Sequence, residues 1–395
     1  MNIGIYGGTF DPPHRGHIAA AKAAVSALHL DRLLLIPDAV PPHKALPEGS
    51  PTAQQRYDMA VLATAELGRQ ASDMELRRAG VSYTADTLAQ LRRQYPEDEL
   101  YLLMGTDMFL SLQSWRQPER IAALVHIAPF RREREDDPAV FAAQKKRLER
   151  DYGASVTVVP NPDVVDISST EVRAALAQGR GENMLPPAVW GYICRERLYG
   201  THTDLKHLTP DELRPVALSY LKPKRMPHVL GTEQEAVRLA ERYGADVTKA
   251  RVAALLHDCT KKLDMAEQLA LCERYRIPLD ELERKALKLL HSKTGAAIAR
   301  DVFAVDDEVY NAILYHTTGK PDMTLLEKVI YLADYIEPTR DFPGVEELRR
   351  TVYEDLDRGL LLGLTMTIQE MEELGNPVHH MTRDARDYLM KRGIS

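Results

Sequence analysis

Short apolar runs closed by glycine or proline recur through the first two hundred residues and all but stop near Leu208, so one fold class cannot serve the whole chain. Residues 2–6, 32–37 and 100–104 read as strands, with 125–128 and 156–159 as further strand candidates. Helical patterns at 17–27 and 54–67 lie between them. Strand, turn and helix in this alternation predict a parallel α/β sheet, whose ligands bind beyond the carboxyl ends of the strands. From Leu208 helical periods follow one another at 210–221, 232–243, 246–257, 265–275, 280–291, 294–302, 306–315, 325–336 and 345–374, predicting an all-α domain. The polar stretch YGTHTDLKHLT at 199–209 reads as a connector. The expected division is a domain over 1–200, a linker over 201–209 and a second domain over 210–395.

A chain of 395 residues is long enough for two cores. The net charge of −7 is spread as 25 acidic against 23 basic residues in 1–200 and 33 against 28 in the remainder. Neither half has the basic excess of a clamp for long nucleic acid. Cys194, Cys259 and Cys272 have no paired spacing, which excludes a disulfide framework and fits a reducing compartment. No signal-like N-terminus or spanning apolar run occurs, so a cytoplasmic protein without membrane association is expected.

The first strand ends in Gly7-Gly8, followed by Thr9, Phe10 and the spacing His14-x-Gly-His17 at a helix start. Bare backbone N–H groups there admit a phosphate, and paired imidazoles can donate to its oxygens as charge builds. Taken alone, GG followed by two histidines is equally a Gly-rich turn with surface side chains. Further polar segments follow the later strands: PPHK with Lys44, QQRYDMA with Arg56, SYTADTL with Thr84, and GTDMFLSLQSW with Gly105, Asp107 and Trp115. In ISSTEVR, Ile167 precedes Ser168, Ser169 and Thr170, which offer hydroxyls and N–H groups at the positive end of a helix. Arg173, one turn on, brings a guanidinium fork to the same place.

These six segments, in this order, resemble the H-x-G-H nucleotidyltransferases and specifically the nicotinate mononucleotide adenylyltransferase family, over about residues 1–200. The resemblance implies transfer of AMP from ATP to nicotinate mononucleotide, with Mg²⁺ arriving on the ATP. It implies His14 and His17 at the α-phosphoryl group, Arg173 with the Ser168–Thr170 turn at the β/γ end, Trp115 against the pyridine ring and Asp107 near the adenosine. The charged APFRREREDD segment does not match the family, so Arg131 and Arg132 have no assigned role.

The helical half carries His228, the adjacent pair His257-Asp258, His291, His316 and Asp334. Four imidazoles and two carboxylates suit two divalent cations, with an aspartate able to bridge them. His207, His379 and His380 read as ordinary core or surface histidines. With HVLGT, ALLHDCTK, LLHSKTGA, YHTTGK and YLADYIEP as landmarks, residues 208–395 resemble the HD-domain phosphohydrolases, nearest to those that cleave dinucleoside tetraphosphates symmetrically. That resemblance implies diadenosine tetraphosphate as substrate, two ADP as products, water as nucleophile and iron as the metal pair, although the donors equally suit Mn or Zn. Lys261 is placed to meet a substrate phosphate or to complement a helix C-terminus; Lys320 and Arg340 are weaker candidates for the same task. The open alternatives are a nucleotide phosphatase or phosphodiesterase of other specificity, or a non-catalytic regulatory module. For the first half they are a pantetheine-phosphate or cytidylyl transferase, or a nucleotide binder. The oligomeric state is left open.

Overall fold

The computed structural model describes residues 1–42, 45–78, 80–131, 137–161 and 164–394. Lys44 and Arg132 lie outside the described residues. The chain forms two compact units, 1–203 and 204–395.

In the first unit β1 (Asn2–Gly8), α1 (Arg15–Ala27), β2 (Arg32–Pro37), α2 (Ala53–Ala63), β3 (Gln70–Ala71), α3 (Met74–Arg77) and α4 (Thr84–Gln94) come first. Then follow β4 (Glu99–Gly105), α5 (Thr106–Ser111), α6 (Pro118–Leu124), β5 (His126–Phe130), α7 (Pro138–Tyr152), α8 (Ser169–Leu176) and α9 (Pro187–Glu196). The strands pair in the order β3-β2-β1-β4-β5, all parallel. Alternate side chains feed opposite faces. Ile3, Ile5, Leu34, Ile36, Leu100 and Leu102 enter one core, while Tyr6, Leu33, Leu35 and Leu103 enter the other. The chain reverses direction across the sheet between β1 and β4, so a crevice opens where Gly7-Gly8 and Gly105-Thr106 end those strands.

The expected strand at 156–159 is reduced to two isolated bridges, Val156 with Ile127 and Val159 with Phe130. Ile127 exchanges bonds with Ser155 and Thr157, and Val159 N–H reaches the Pro129 carbonyl. Pro129 has no N–H to return the next bond, so the ladder is broken there.

The second unit is helical: α10 (Pro210–Ser219), α11 (Met226–Tyr243), α12 (Val247–Leu256), α13 (Met265–Arg274), α14 (Leu287–Phe303), α15 (Asp307–Tyr315), α16 (Leu325–Ile336), α17 (Val345–Glu354), α18 (Leu356–Glu373) and α19 (His380–Lys391). Two sequence expectations are corrected here. Residues 287–291 of one expected pattern and the pattern at 294–302 belong to one helix, α14, because Ser292-Lys293 contains no breaker. The residues before it form a separate turn, in which Asp280 Oδ1 accepts from Glu283 N–H and Glu283 Oε2 accepts from Asp280 N–H. Conversely, 345–374 is two helices. Asp355 leaves the helical conformation (φ −151°, ψ 117°) and caps α18 by accepting from Asp357 and Arg358 N–H. Among the described residues, no helix is long and apolar enough to cross a membrane.

Gly359 lets α17 and α18 meet: a Cβ there would stand 2.5 Å from Val352 Cγ2 and 2.7 Å from Val352 Cα. Because a Cα cannot rotate away, Gly359→Ala is expected to cost about 1–3 kcal/mol. Calorimetry would show it as a lower melting temperature, and an unchanged melt would contradict this packing.

Candidate active sites

At the head of the crevice, Phe10 turns the chain with a left-handed backbone (φ 48°), and His14 caps α1. The His14 and His17 rings lie 3.8 Å apart between centroids. His17 Nδ1 accepts from His14 N–H at 3.1 Å, so the proton of the neutral ring sits on Nε2. Gly16 leaves little room between them: a Cβ would stand 3.0 Å from Val165 O and 3.1 Å from the His14 ring.

The ISSTEVR turn docks onto this loop from the far end of the unit. Ser168 Oγ accepts from Glu171 N–H, and Glu171 Oε2 accepts from Ser168 N–H, a reciprocal cap. The Ser168 hydroxyl, and then the Ser168 N–H, donate to Glu171 Oε2 and hold its carboxyl below the usual range. Ser169 Oγ donates to Pro12 O, and Arg173 Nη1 donates to Asp11 O at 2.7 Å.

Gly7, Gly8, Thr9, Phe10, Thr84, Gly105, Asp107, Trp115, Ser168, Ser169, Thr170 and Arg173 all line one cavity of about 460 Å³. His14, His17 and Ile167 line a small adjoining hollow that shares Tyr6 and Phe130 with it. Arg56 stands apart from both. It is 1% exposed and donates to the Thr9 and Ala39 carbonyls, tying the ends of β1 and β2 together.

Sequence reasoning missed Glu75 and Tyr199. Glu75 is a buried cavity-lining carboxylate whose Oε1 accepts from Thr87 and whose Oε2 makes no hydrogen bond. Tyr199, read as the start of the connector, reaches back to Asp11. Nothing local distinguishes either residue; their partners are remote.

In the second unit the six expected residues gather in one buried cluster. His228 Nε2 is 3.0 Å from Asp334 Oδ1 and 3.4 Å from His257 Nε2. His291 Nε2 is 3.1 Å from His316 Nε2 and 3.3 Å from Asp258 Oδ1. The His257 and His316 Nδ1–H groups donate at 2.6 Å to the Ala254 and Ile313 carbonyls. His228 Nδ1 donates at 3.0 Å to Glu337 Oε1. A carbonyl can only accept, so the His257 and His316 rings present a bare Nε2 inward, while His228 has a carboxylate at each of its nitrogens.

Burial pushes His257 down, and pushes His291 and His316 down to about 4, keeping them neutral. Burial opposes ionisation of Asp258, but His257, His291 and Lys261 hold it well below the usual carboxylate range. For Asp334, His228, His257 and Arg340 likewise outweigh burial.

This donor set fits divalent cations: His228, His257 and Asp334 make one group of converging ligand atoms, and His257, Asp258 and His316 another. The fully buried Asp258 Oδ1 makes no hydrogen bond, as expected of an oxygen kept for a cation. Three cationic side chains crowd the same mouth. Arg225 Nε lies 2.5 Å from Asp258 Oδ2, Arg340 Nη2 lies 2.6 Å from Asp334 Oδ1, and Lys261 Nζ lies 2.9 Å from His291 Nε2. Lys320 instead pairs with Glu327.

Arg225 and Glu337 were not singled out from sequence. The available cue was spacing, since each stands three residues from a candidate ligand. Asp280, His379 and His380 form a further group. There His379 Nδ1 accepts from Met381 N–H, so Nε2 carries the proton; it lies 3.3 Å from Asp280 Oδ2 and 3.4 Å from Glu283 Oε1 without a hydrogen bond to either, and is not a bare ligand atom.

The cytidylyltransferase-like family model matches residues 5–175 and the HD domain model matches residues 225–339. Fold and site together define a nucleotidyltransferase-type unit followed by an HD-domain unit. One relative, the "Probable nicotinate-nucleotide adenylyltransferase" of Shewanella sp. (strain ANA-3), is 39% identical over 213 residues, covering 50% of this chain and 99% of the relative. Another, the symmetrical bis(5'-nucleosyl)-tetraphosphatase of Bacillus subtilis (strain 168), is 40% identical over 159 residues, covering 40% and 85%. A crystal structure from Clostridium acetobutylicum, titled a predicted HD superfamily hydrolase involved in NAD metabolism, is 42% identical over 47% of this chain and 98% of its own, with a TM-score of 0.45. The chain thus belongs to the nicotinate-nucleotide adenylyltransferase family in its N-terminal half and to the symmetrical bis(5'-nucleosyl)-tetraphosphatase family in its HD half.

Glu337 is wholly buried; its Oε2 accepts from Thr339 N–H at 2.7 Å, and its Oε1 accepts from both the Thr339 hydroxyl and His228 Nδ1. Glu337→Gln is expected to weaken divalent-metal affinity about 10- to 100-fold through His228. Titration of chelator-stripped protein with Mn²⁺ would measure it; unchanged affinity would mean that Glu337 does not orient the ring.

Proposed function

We propose that the chain is a bifunctional nucleotide enzyme. The first unit transfers AMP from ATP to nicotinate mononucleotide; the second hydrolyses diadenosine tetraphosphate to two ADP.

In the first reaction a phosphate oxygen of nicotinate mononucleotide attacks the α-phosphorus of ATP in line. The bond from that phosphorus to the bridging oxygen breaks, and pyrophosphate leaves with the electron pair. No covalent bond to the protein is needed, so catalysis is positioning and neutralisation of charge. The observation that carries this reading is the Nε2–H of His17, set by the His14 N–H, beside a cavity that Arg173 and the Ser168–Thr170 turn close. His17 and His14 serve the α-phosphoryl oxygens, and Arg173 with the capped turn serves the leaving pyrophosphate. Trp115 and Thr84 line the wall that receives the pyridine ring, Asp107 the part nearer the adenosine, and Lys44 belongs with the phosphate contacts. Arg56 acts from beneath, holding Thr9 in place. Mg²⁺ accompanies the ATP phosphates.

In the second unit His228, His257, Asp258, His291, His316 and Asp334 would hold a pair of divalent metals, iron being the proposed identity. Bound there, the metals would supply Lewis-acid charge at a phosphoryl oxygen and activate water. The protein's own part is to keep neutral imidazoles turned inward and two carboxylates ionised. Lys261, Arg225 and Arg340 place cationic groups where a tetraphosphate chain, rich in negative charge, enters.

His17→Ala is expected to lower kcat for pyrophosphate release about 100-fold or more while the melting temperature stays near wild type. Asp258→Asn is expected to abolish ADP release from diadenosine tetraphosphate and to leave adenylyl transfer intact. Parallel assays of both reactions on each variant decide the matter. CTP replacing ATP at equal rate, or tetraphosphate cleavage surviving in Asp258→Asn, would overturn the corresponding half.

A further inference from the structure

Adenylyl transfer needs only a phosphate oxygen as its attacking group, and the side chains placed at the reacting phosphorus do not specify what carries that oxygen. His14, His17, Arg173 and the Ser168–Thr170 turn are all assigned to phosphoryl oxygens of the donor. A phosphate terminus is already ionised, so it attacks without a protein base. Choice of acceptor therefore falls to the wall of the cavity.

That wall is permissive. Its lining includes Leu88, Met104, Met108 and Trp115, apolar chains and an aromatic face that receive one flat ring much as another. Among the described lining residues Arg173 is the one cation, beside the carboxylates of Asp38, Glu75 and Asp107. With Arg173 given to the leaving pyrophosphate, no ion pair among them reserves the acceptor place for the ring carboxylate of nicotinate mononucleotide. The cavity also opens on an apolar rim. Met108 both lines it and is exposed; Val40 and Val81, also exposed, are the chain neighbours of the lining residues Pro41 and Ser82. Ser82 N–H donates to Val40 O at 3.1 Å, which joins those two segments. An acceptor longer by two phosphates can thus hold its terminal phosphate in line while its base lies farther out, against this rim.

We propose that ATP is a second acceptor for the first unit, so that the chain makes there the compound its second unit removes. A γ-phosphate oxygen of one ATP attacks the α-phosphorus of another. The bond from that phosphorus to the bridging oxygen breaks, pyrophosphate leaves with the electron pair, and diadenosine tetraphosphate forms. In the second unit water adds to a central phosphorus and the central bridging bond breaks. Two ADP leave, one keeping the water's oxygen, and the water's protons pass to solvent. The sum is two ATP and water giving two ADP and pyrophosphate. The inference rests on the readings of both units given above and adds an acceptor to the first.

The test supplies the full chain with ATP and Mg²⁺ but no mononucleotide, and separates the products by ion-exchange chromatography. Asp258→Asn, in which hydrolysis is blocked, is expected to accumulate diadenosine tetraphosphate and pyrophosphate in equal amounts. The expected rate is about 100-fold below that with nicotinate mononucleotide, the scale of a displaced attacking atom. Adding His17→Ala lowers it about 100-fold more, because the product arises at this site. Asp258→Asn that releases pyrophosphate with nicotinate mononucleotide yet forms no tetraphosphate from ATP alone overturns the proposal. So does tetraphosphate formation that survives His17→Ala. If Asp258→Asn does not fold, the wild-type chain decides. There, two ADP for each pyrophosphate, lost in His17→Ala, support the proposal, and ADP accompanied by inorganic phosphate instead overturns it. Wild-type protein that releases no pyrophosphate with nicotinate mononucleotide would defeat the reading of the first unit and the inference with it. Wild-type protein that leaves added diadenosine tetraphosphate intact would defeat the reading of the second unit, and with it the removal step.

Discussion

Backbone groups decide which nitrogen of His17, His257 and His316 carries the proton, and both candidate sites depend on that choice. In the first unit the partner of His17 is a backbone N–H, which can only donate, so the ring becomes an Nε2–H donor fit for an anionic oxygen. In the second unit the partners of His257 and His316 are helix carbonyls, which can only accept, so the rings present bare Nε2 atoms fit for a cation. One residue type thus serves opposite chemistry in two halves of a chain. The difference lies in the adjoining turn of main chain, not in the imidazole.

That constraint explains much of the local architecture. Gly16 keeps the start of α1 clear for the His14 ring. Gly231 has a comparable place in the second unit, because a Cβ there would clash with Oε2 of Glu337, the carboxylate that orients His228. Burial then completes the arrangement by keeping His257, His291 and His316 neutral, while nearby cations and rings keep Asp258 and Asp334 ionised. The result is an acceptor-rich pocket in the second unit and a donor-rich crevice in the first.

Features set by neighbours in sequence were legible before the fold was known. The strand–Gly-Gly–helix opening, the serine- and threonine-rich helix start at Ser168–Thr170, and the His257-Asp258 pair at the end of α12 each announce themselves within about ten residues. The parallel sheet followed from alternation, and the helical half from its loss. Features set by distant partners were not legible. Arg56 reads as a ligand because arginine in a motif suggests phosphate, yet its guanidinium holds two carbonyls. Tyr199 sits in a polar stretch and is revealed only by a bond spanning nearly the whole unit. The strand expected at 156–159 fails for want of one N–H on the neighbouring strand, which belongs to Pro129. The helix break at Asp355 is a capping event that apolar periodicity does not register.

The most direct test of the shared constraint is ¹⁵N NMR of the imidazole rings in the metal-free, nucleotide-free chain, assigned by single-histidine substitutions. The account predicts that His17 carries its proton on Nε2 and that His257 and His316 carry theirs on Nδ1. A His17 ring protonated on Nδ1, or a His257 or His316 ring protonated on Nε2, would contradict it.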